Sequence, residues 1–276
     1  MRLTSENVAE TYYVSREEQE TYTVESHHRV TLAQQHDKFD DKIIPLQVKQ
    51  VTYSQKGPHI HTTLFDTAEL LCPDTTAETL AKLPTVLKAN GTVTVGTSAP
   101  LSDSIGFVVG SDEKVKALGA TPFARFVDFK AVAVAPKLMG FGPVFAIPKV
   151  VKLTNLTIED TDLVELNEVF ASLTLASTRE VGLKPQKTNV NGGVIELGHP
   201  LGTTGAILTA RLLAEMRKLR THRMAWSQCV LVSEWAQQAY LNSRSRTCHD
   251  DGVIHFTSTI KCIAHREVSS HGERVF

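Results

Sequence analysis

The sequence predicts an α/β protein of layered α-β-α architecture, and three observations carry that expectation. Strand-like and helix-like patterns alternate from residue 123 to 218, the mark of strands feeding helices that pack on a sheet. Within that region the run NVNGGVIELGHPLGTTGA, residues 189 to 206, passes from an apolar stretch through a Gly- and Pro-rich turn into a helix pattern. The chain has 276 residues, 42% hydrophobic and 21% charged, enough to bury the core of one large domain or two ordinary ones.

Taken in order, residues 5 to 36 read as two helices. Ser5 is placed to cap the first and Ser15 the second, with Glu17 and Glu18 in the first turn, where carboxylates suit the positive helix end. The second continues through Tyr22, Val24, Val30 and Leu32 to about Gln35. From Lys42 to Thr63 the pattern alternates, which predicts strands, and the prolines make them edge strands. Asp74-Thr75-Thr76 caps a helix over Ala77 to Leu87; Asn90-Gly91 then turns the chain into a strand at Thr92 to Val95 and the loop GTSAPLSD. Phe107 to Val109 reads as a strand, Asp112 to Leu118 as a short helix and 123 to 134 as a further strand. A glycine-rich turn from Lys137 to Pro143 leads to a helix over 143 to 153; Leu163 to Leu166 is a strand, and Asn167 to Phe170 opens a helix to about Val181. In the last pattern Val190, Val194, Ile195 and Leu197 are strand positions, Gly198-His199-Pro200 stops the strand, and Thr203 or Thr204 caps a helix whose apolar positions are Ala206, Ile207, Ala210, Leu213 and Met216.

The net charge of −1 gives no clustered basic surface for nucleic acid or an anionic membrane, so neither partner is expected. The N-terminal stretch has no signal-peptide core, and no run approaches eighteen apolar residues. Four cysteines, Cys72, Cys229, Cys248 and Cys262, are too sparse for a disulfide framework. A cytoplasmic protein is the expectation. Cys248, His249, His255, Cys262 and His265 are metal-ligand types, but their spacing fits no compact zinc pattern and no metal is expected.

The run at 189 to 206 resembles the thiolase family, whose members carry an Asn-x-Asn-Gly-Gly run followed by Gly-His-Pro and a Gly-rich helix start. The resemblance continues upstream: Thr92-Val93-Thr94 with its small-residue loop, Met139-Gly140-Phe141-Gly142-Pro143, and Asn167-Glu168-Val169-Phe170 are all similar to family motifs. It implies a thiolase-like layered fold, incomplete here, and exchange of acyl groups with coenzyme A thioesters by Claisen condensation or thiolysis, with coenzyme A as substrate and no further cofactor. His199 is then the active-site histidine, and Asn167 holds a water that shares an oxyanion with it. Ser98 and Asp103 lie against the pantetheine arm of coenzyme A, and Met139 lines the acyl pocket. Intact relatives are homo-oligomers. Cys72 stands where many relatives have an arginine, and Glu196 where they have a small apolar residue; a carboxylate buried there without a partner is costly.

On this resemblance residues 1–102 form a loop domain facing coenzyme A, 103–119 a remnant of the N-terminal half, and 120–223 a truncated C-terminal half. Residues 224–276 form a non-family tail. No residue corresponds to the family's nucleophilic cysteine, so the chain is expected to be inactive alone; an N-terminal thiolase fragment is then a partner, and a non-catalytic coenzyme A-binding or complementing module is the alternative. The second family cysteine belongs in a Cys-x-Gly-x-Gly loop, where this chain reads MAWSQCVLVSEWAQQAYLN. Codons for Met224 to Leu241, read from the third base of the Met224 codon, force Gly first and permit Gly-Met-Val-Thr-Met-Cys-Val-Gly-Val-Gly-Met-Gly-Ala-Ala-Gly-Ile-Phe, a thiolase-like ending. A frameshift near Arg223 is therefore expected.

Overall fold

Ser15 starts the longest helix with a reciprocal cap: its hydroxyl accepts the Glu18 N–H at 3.2 Å, and the Glu18 carboxylate accepts the Ser15 N–H at 2.8 Å. The computed structural model describes residues 3–55, 57–67, 71–102, 105, 108–218, 224–230, 235–242 and 254–257. Helix α1 spans Leu3–Thr11 and α2 Arg16–Gln35. The buried stripe of α2 is Gln19, Thr23, Ser26, Val30 and Ala33, at alternating steps of four and three, as one helix face requires. Its first three members are polar. Gln19 Nε2 donates to Thr92 Oγ1 at 3.0 Å and Ser26 Oγ to Glu168 at 2.8 Å, so hydrogen bonds join apolar burial in holding the helix.

Strands β1 (Leu46–Ser54) and β2 (Gly57–Phe65) pair antiparallel as a separate two-stranded sheet, largely exposed on both faces. Helix α3 (Ala77–Ala81) follows, then β3 (Val108–Ser111), α4 (Asp112–Ala117), β4 (Pro122–Ala133) and α5 (Gly142–Leu153). The second half holds β5 (Leu163–Leu166), α6 (Ala171–Val181), the one-turn α7 (Val194–Leu197) and α8 (Thr204–Lys218); β6 (Met224–Val230), β7 (Trp235–Asn242) and β8 (Ile254–Thr257) complete the described chain.

The second sheet has the order β3-β8-β4-β7-β6-β5, antiparallel except for the parallel β5 and β6 pair. Strand β5 divides its side chains between the two faces with period two. Leu163 packs with Ala124 and with Leu212, Leu213 and Met216 of α8; Val164 and Leu166 pack with Ile147, Val150 and Val151 of α5 and with Leu183. One helix layer thus covers each face, the α-β-α arrangement expected from the alternation. A third cluster joins Val8, Ala9 and Val14 to Phe141, Leu173 and Ala176, which fixes α1 against α6. Each fully buried Val, Leu, Ile, Phe or Met among them contributes about 1.5–3 kcal/mol.

Four expectations are corrected. Ser5 does not cap α1 but lies inside it, fully buried, its carbonyl accepting the Ser172 hydroxyl at 3.1 Å. The helix from Ala77 stops at Ala81 rather than Leu87: the Arg16 guanidinium takes the carbonyls of Leu80, Ala81 and Leu83, and Pro84 follows. Residues 92 to 95 form no strand, since side chains take their backbone donors. The buried Glu6 carboxylate accepts the Thr92 and Val93 N–H groups at 3.0 Å, and Thr97 Oγ1 accepts the Thr94 N–H at 3.0 Å. Residues 190 to 197 form a turn and the single helical turn α7 instead of a strand, because Asn189 (φ 47°) and Gly192 (φ 71°) take left-handed conformations that break an extended run.

Candidate active site

Three segments converge. The first is the loop 94–102, stitched by its own hydroxyls: the Thr97 N–H reaches Thr94 Oγ1 at 3.3 Å, and Ser98 Oγ donates to the Thr94 carbonyl at 2.7 Å. The second is the turn from β5 into α6. Ala99 N–H donates to the Val169 carbonyl and Ala171 N–H to the Thr97 carbonyl, both at 3.0 Å, with a bridge between Ser98 and Phe170. The third is the His199 turn, whose backbone N–H donates to the Pro100 carbonyl at 2.6 Å. The loop is thus bonded on one side to the turn that carries Asn167 and on the other to His199. Gly198, at φ 89°, permits the close approach, since a Cβ there would strike Ser102.

Asn167 is not a helix cap; that position belongs to Phe170. Its side chain is buried, and neither Nδ2 nor Oδ1 has a hydrogen-bond partner among the described residues. Buried amides are rarely left so, and a water suits both atoms, since it can accept from Nδ2 or donate to Oδ1. His199 is buried, 6% exposed, with Nδ1 at 2.6 Å from Thr204 Oγ1. Thr204 Oγ1 gives its single hydrogen to the Pro200 carbonyl at 2.9 Å. The ring must therefore donate from Nδ1, which leaves the lone pair on Nε2. Burial lowers the His199 pKa from its ordinary value, so the imidazole is neutral at neutral pH.

The turn before His199 is clamped from two sides. The Asn189 side chain acts as a strand edge for β5, accepting the Leu166 N–H at 2.7 Å and donating to its carbonyl at 2.9 Å. From α8, Glu215 accepts from Asn191 Nδ2 at 2.9 Å, while Arg211 donates to the Gly192 carbonyl. Behind this turn lies a buried charged cluster: Arg211 Nε stands 3.5 Å from Glu165, and Lys38 pairs with Glu215 at 3.1 Å. Burial pushes Glu165 up to about 7, against the opposing pull of Arg211 and Lys42; burial and Arg211 bring Lys42 down to about 8.

Glu196 is nearly inaccessible, but it does not lack partners. One oxygen accepts the Cys72 N–H at 2.5 Å and the other meets His27 Nδ1. The Cys72 thiol is raised from its ordinary value by burial and then by Glu196, the opposite of an activated nucleophile. Ser98 lies within the convergent loop, its hydroxyl spent on the Thr94 carbonyl. Asp103 lies outside the described residues. Met139 is half-buried in the 3-10 turn Pro136–Phe141, which packs on α1 and α6. Among the described residues no group of three or more His, Cys, Asp or Glu could hold a metal, and no helix is long and apolar enough to cross a membrane. The side chains of Cys248, His249, His255, Cys262 and His265 lie outside the described residues. The sequence pattern gave Thr204 only a capping role and Glu168 none: Thr204 is turned onto His199 by the local fold of the Pro200 turn, and the Tyr22 and Ser26 partners of Glu168 are distant in the chain.

Fold and site together define an α-β-α protein in which a buried neutral histidine and an unpartnered buried asparagine are held by one loop. The Thiolase, N-terminal domain model matches residues 1–113, and the Thiolase, C-terminal domain model residues 120–234. The chain belongs to the thiolase family. It is 41% identical over 229 residues to a 3-ketoacyl-CoA thiolase of Bacillus subtilis, covering 82% of this chain and 59% of that protein. It is 40% identical over 231 residues to the mitochondrial 3-ketoacyl-CoA thiolase of Homo sapiens, covering 83% and 56%. The crystal structure of the human mitochondrial enzyme superposes with a TM-score of 0.79 at 34% identity, covering 89% of this chain and 60% of that one. The chain thus spans less than two thirds of the length of these relatives.

Proposed function

We propose that this chain carries the histidine and asparagine half of a thiolase-type acyl-CoA acyltransferase site and that the 276 residues do not turn over alone. The observation that carries the reading is the loop 94–102 bonded both to the Asn167 turn and to His199, with both Asn167 side-chain atoms unpartnered. Its lack of turnover is supported by Cys72, the one cysteine whose side chain is described, having its thiol raised rather than lowered.

In this reading a cysteine supplied by another segment gives its proton to His199 Nε2 and the thiolate adds to the thioester carbonyl. The resulting oxyanion takes hydrogen bonds from Nε2–H and from a water on Asn167. Its collapse breaks the bond to the coenzyme A sulfur, which leaves as the thiol with the proton from His199. Losing one oxyanion donor costs about 3 kcal/mol. Ser98 and Asp103 lie along the pantetheine arm and Met139 beside the acyl group. Assay of acetoacetyl-CoA thiolysis tests this: the purified chain is inactive, and a separately expressed thiolase segment bearing the cysteine restores turnover. Turnover by the chain alone refutes the inactivity.

The second reading, a module that binds coenzyme A without catalysis, is favoured by the intact loop. It predicts saturable coenzyme A binding by calorimetry with no rescue on mixing. For residues 224–276 we propose a frameshift near Arg223, although the C-terminal family match runs on to 234; third bases incompatible with the glycine-rich readout sink it. Homo-oligomer assembly, as in the family, is read by sedimentation. A cytoplasmic location is proposed from the sparse cysteines, and fractionation distinguishes it from the compartments of relatives named mitochondrial or peroxisomal.

A further inference from the structure

One residue beyond Asn167, Glu168 is almost completely buried, 1% exposed, and its hydrogen-bond partners are all neutral. Each carboxylate oxygen faces two donors. Oε1 accepts the Tyr22 hydroxyl at 2.6 Å and Asn189 Nδ2 at 2.7 Å; Oε2 accepts the Ser26 hydroxyl at 2.8 Å and the Ile195 N–H at 3.4 Å. Ser26 Oγ in turn accepts the Gly193 N–H at 3.1 Å. Asn189 clasps both backbone groups of Leu166, the residue before Asn167. One carboxylate therefore bonds to α2, to the turn leading to His199, and to the side chain that fixes the approach to Asn167. Tyr22 keeps its proton, its pKa raised well above the ordinary value by burial and then by the Glu168 charge. An isolated buried carboxylate is expensive, and an apolar side chain would fill the volume at lower cost. What the charge adds is a fixed register between three segments far apart in sequence.

We propose that Glu168 is a positioning residue that sets Asn167 and the His199 turn relative to each other by anchoring both to α2. The proposal rests on the reading that those two residues act together, but its test needs no turnover. Glutamine matches the volume and fails the chemistry, because an amide NH2 at either position would face two donors and accept from neither.

The experiment uses nitrogen-15 NMR of the full chain, with the Asn167 side-chain amide and His199 imidazole signals assigned through their loss in Asn167→Ala and His199→Ala. Tyr22→Phe and Ser26→Ala each remove one donor to Glu168 and touch neither reporter. Both variants are expected to fold and to shift both signals, whereas Val132→Ala, in the separate cluster with Ala146, lowers the melting temperature without shifting either. Glu168→Gln is expected to shift both further or to unfold the chain. Unchanged signals in Tyr22→Phe and Ser26→Ala, or equal shifts in Val132→Ala, overturn the proposal. A null result here leaves the coenzyme A assays untouched, so failure of the positioning role and failure of the functional reading are told apart.

Discussion

Gly193→Ala adds one methyl group at the most crowded backbone position of the His199 turn. Gly193 has φ −145°, an extended conformation open to any residue, so the backbone itself imposes no strain. The cost is all steric. A Cβ there would land on the Glu168 carboxyl carbon and both of its oxygens, far inside the 3.0 Å that real Cβ contacts respect. The carboxylate must move, and it is held by four hydrogen bonds. A hydrogen bond to a charged group contributes about 1.5–3 kcal/mol, so losing two of the four costs about 3–6 kcal/mol. That is a large share of the roughly 5–15 kcal/mol that holds a typical domain. Gly202→Ala is the matched control, since nothing lies within 4 Å of its Cβ. Its expected change is a gain of about 0.4–1 kcal/mol from a stiffer unfolded chain. Urea unfolding reads both: at a slope near 2 kcal/mol/M the Gly193→Ala midpoint falls by about 1.5–3 M with the slope unchanged. A Gly193→Ala chain within about 1 kcal/mol of wild type would refute the steric reasoning and with it the tight grip on Glu168.

Three further outcomes are expected. Glu165, at 4.5 when unfolded and about 7 when folded, binds more protons in the native state between those values, so stability falls as pH rises from 4.5 to 7. At about 1.4 kcal/mol per pH unit the loss is about 3 kcal/mol. Lys42, at 10.5 unfolded and about 8 folded, binds fewer protons in the native state between those values, so stability rises from pH 8 to 10.5. Together they place a trough at pH 7 to 8, and Glu165→Gln should flatten its acid side; an unchanged slope in urea melts across pH 5 to 7 contradicts this assignment. Thr204→Val removes the acceptor of His199 Nδ1, so imidazole nitrogen shifts should report mixed tautomers in place of one, with a stability loss of about 1–2 kcal/mol; a single unchanged tautomer counts against the lock. His27→Ala leaves the buried Glu196 carboxylate with only the Cys72 N–H among its described partners and should cost about 3 kcal/mol, whereas His27→Ala combined with Glu196→Ala recovers part of it, a coupling that a double-mutant cycle measures.

Much of the layered fold was legible because its signals are local. Ser15 with Glu18 announced α2, and the apolar runs of β4, β5 and α8 had the right periods. Thr92 to Val95 and Val190 to Leu197 look like strands by composition, but the first is decided by the distant Glu6 carboxylate and the second by left-handed turns at Asn189 and Gly192. In the site, resemblance marked His199 and Asn167, while Thr204 gave no signal of its bond to His199, nor Glu168, Tyr22 and Ser26 of their mutual bonds across the chain. The buried stripe of α2 shows why, since Gln19, Thr23 and Ser26 read as a solvent face to any hydrophobic pattern.

That polar stripe has a consequence for the order in which the protein is made. Helix α2 leaves the ribosome early, but Tyr22 and Ser26 meet Glu168 only 146 and 142 residues later, and Ser26 meets Gly193 later still. At about 5–20 residues per second, several seconds of synthesis separate the helix from its partners. An apolar surface would spend that interval sticky, whereas the Tyr22 and Ser26 hydroxyls stay hydrated until Glu168 and Gly193 arrive and replace the water.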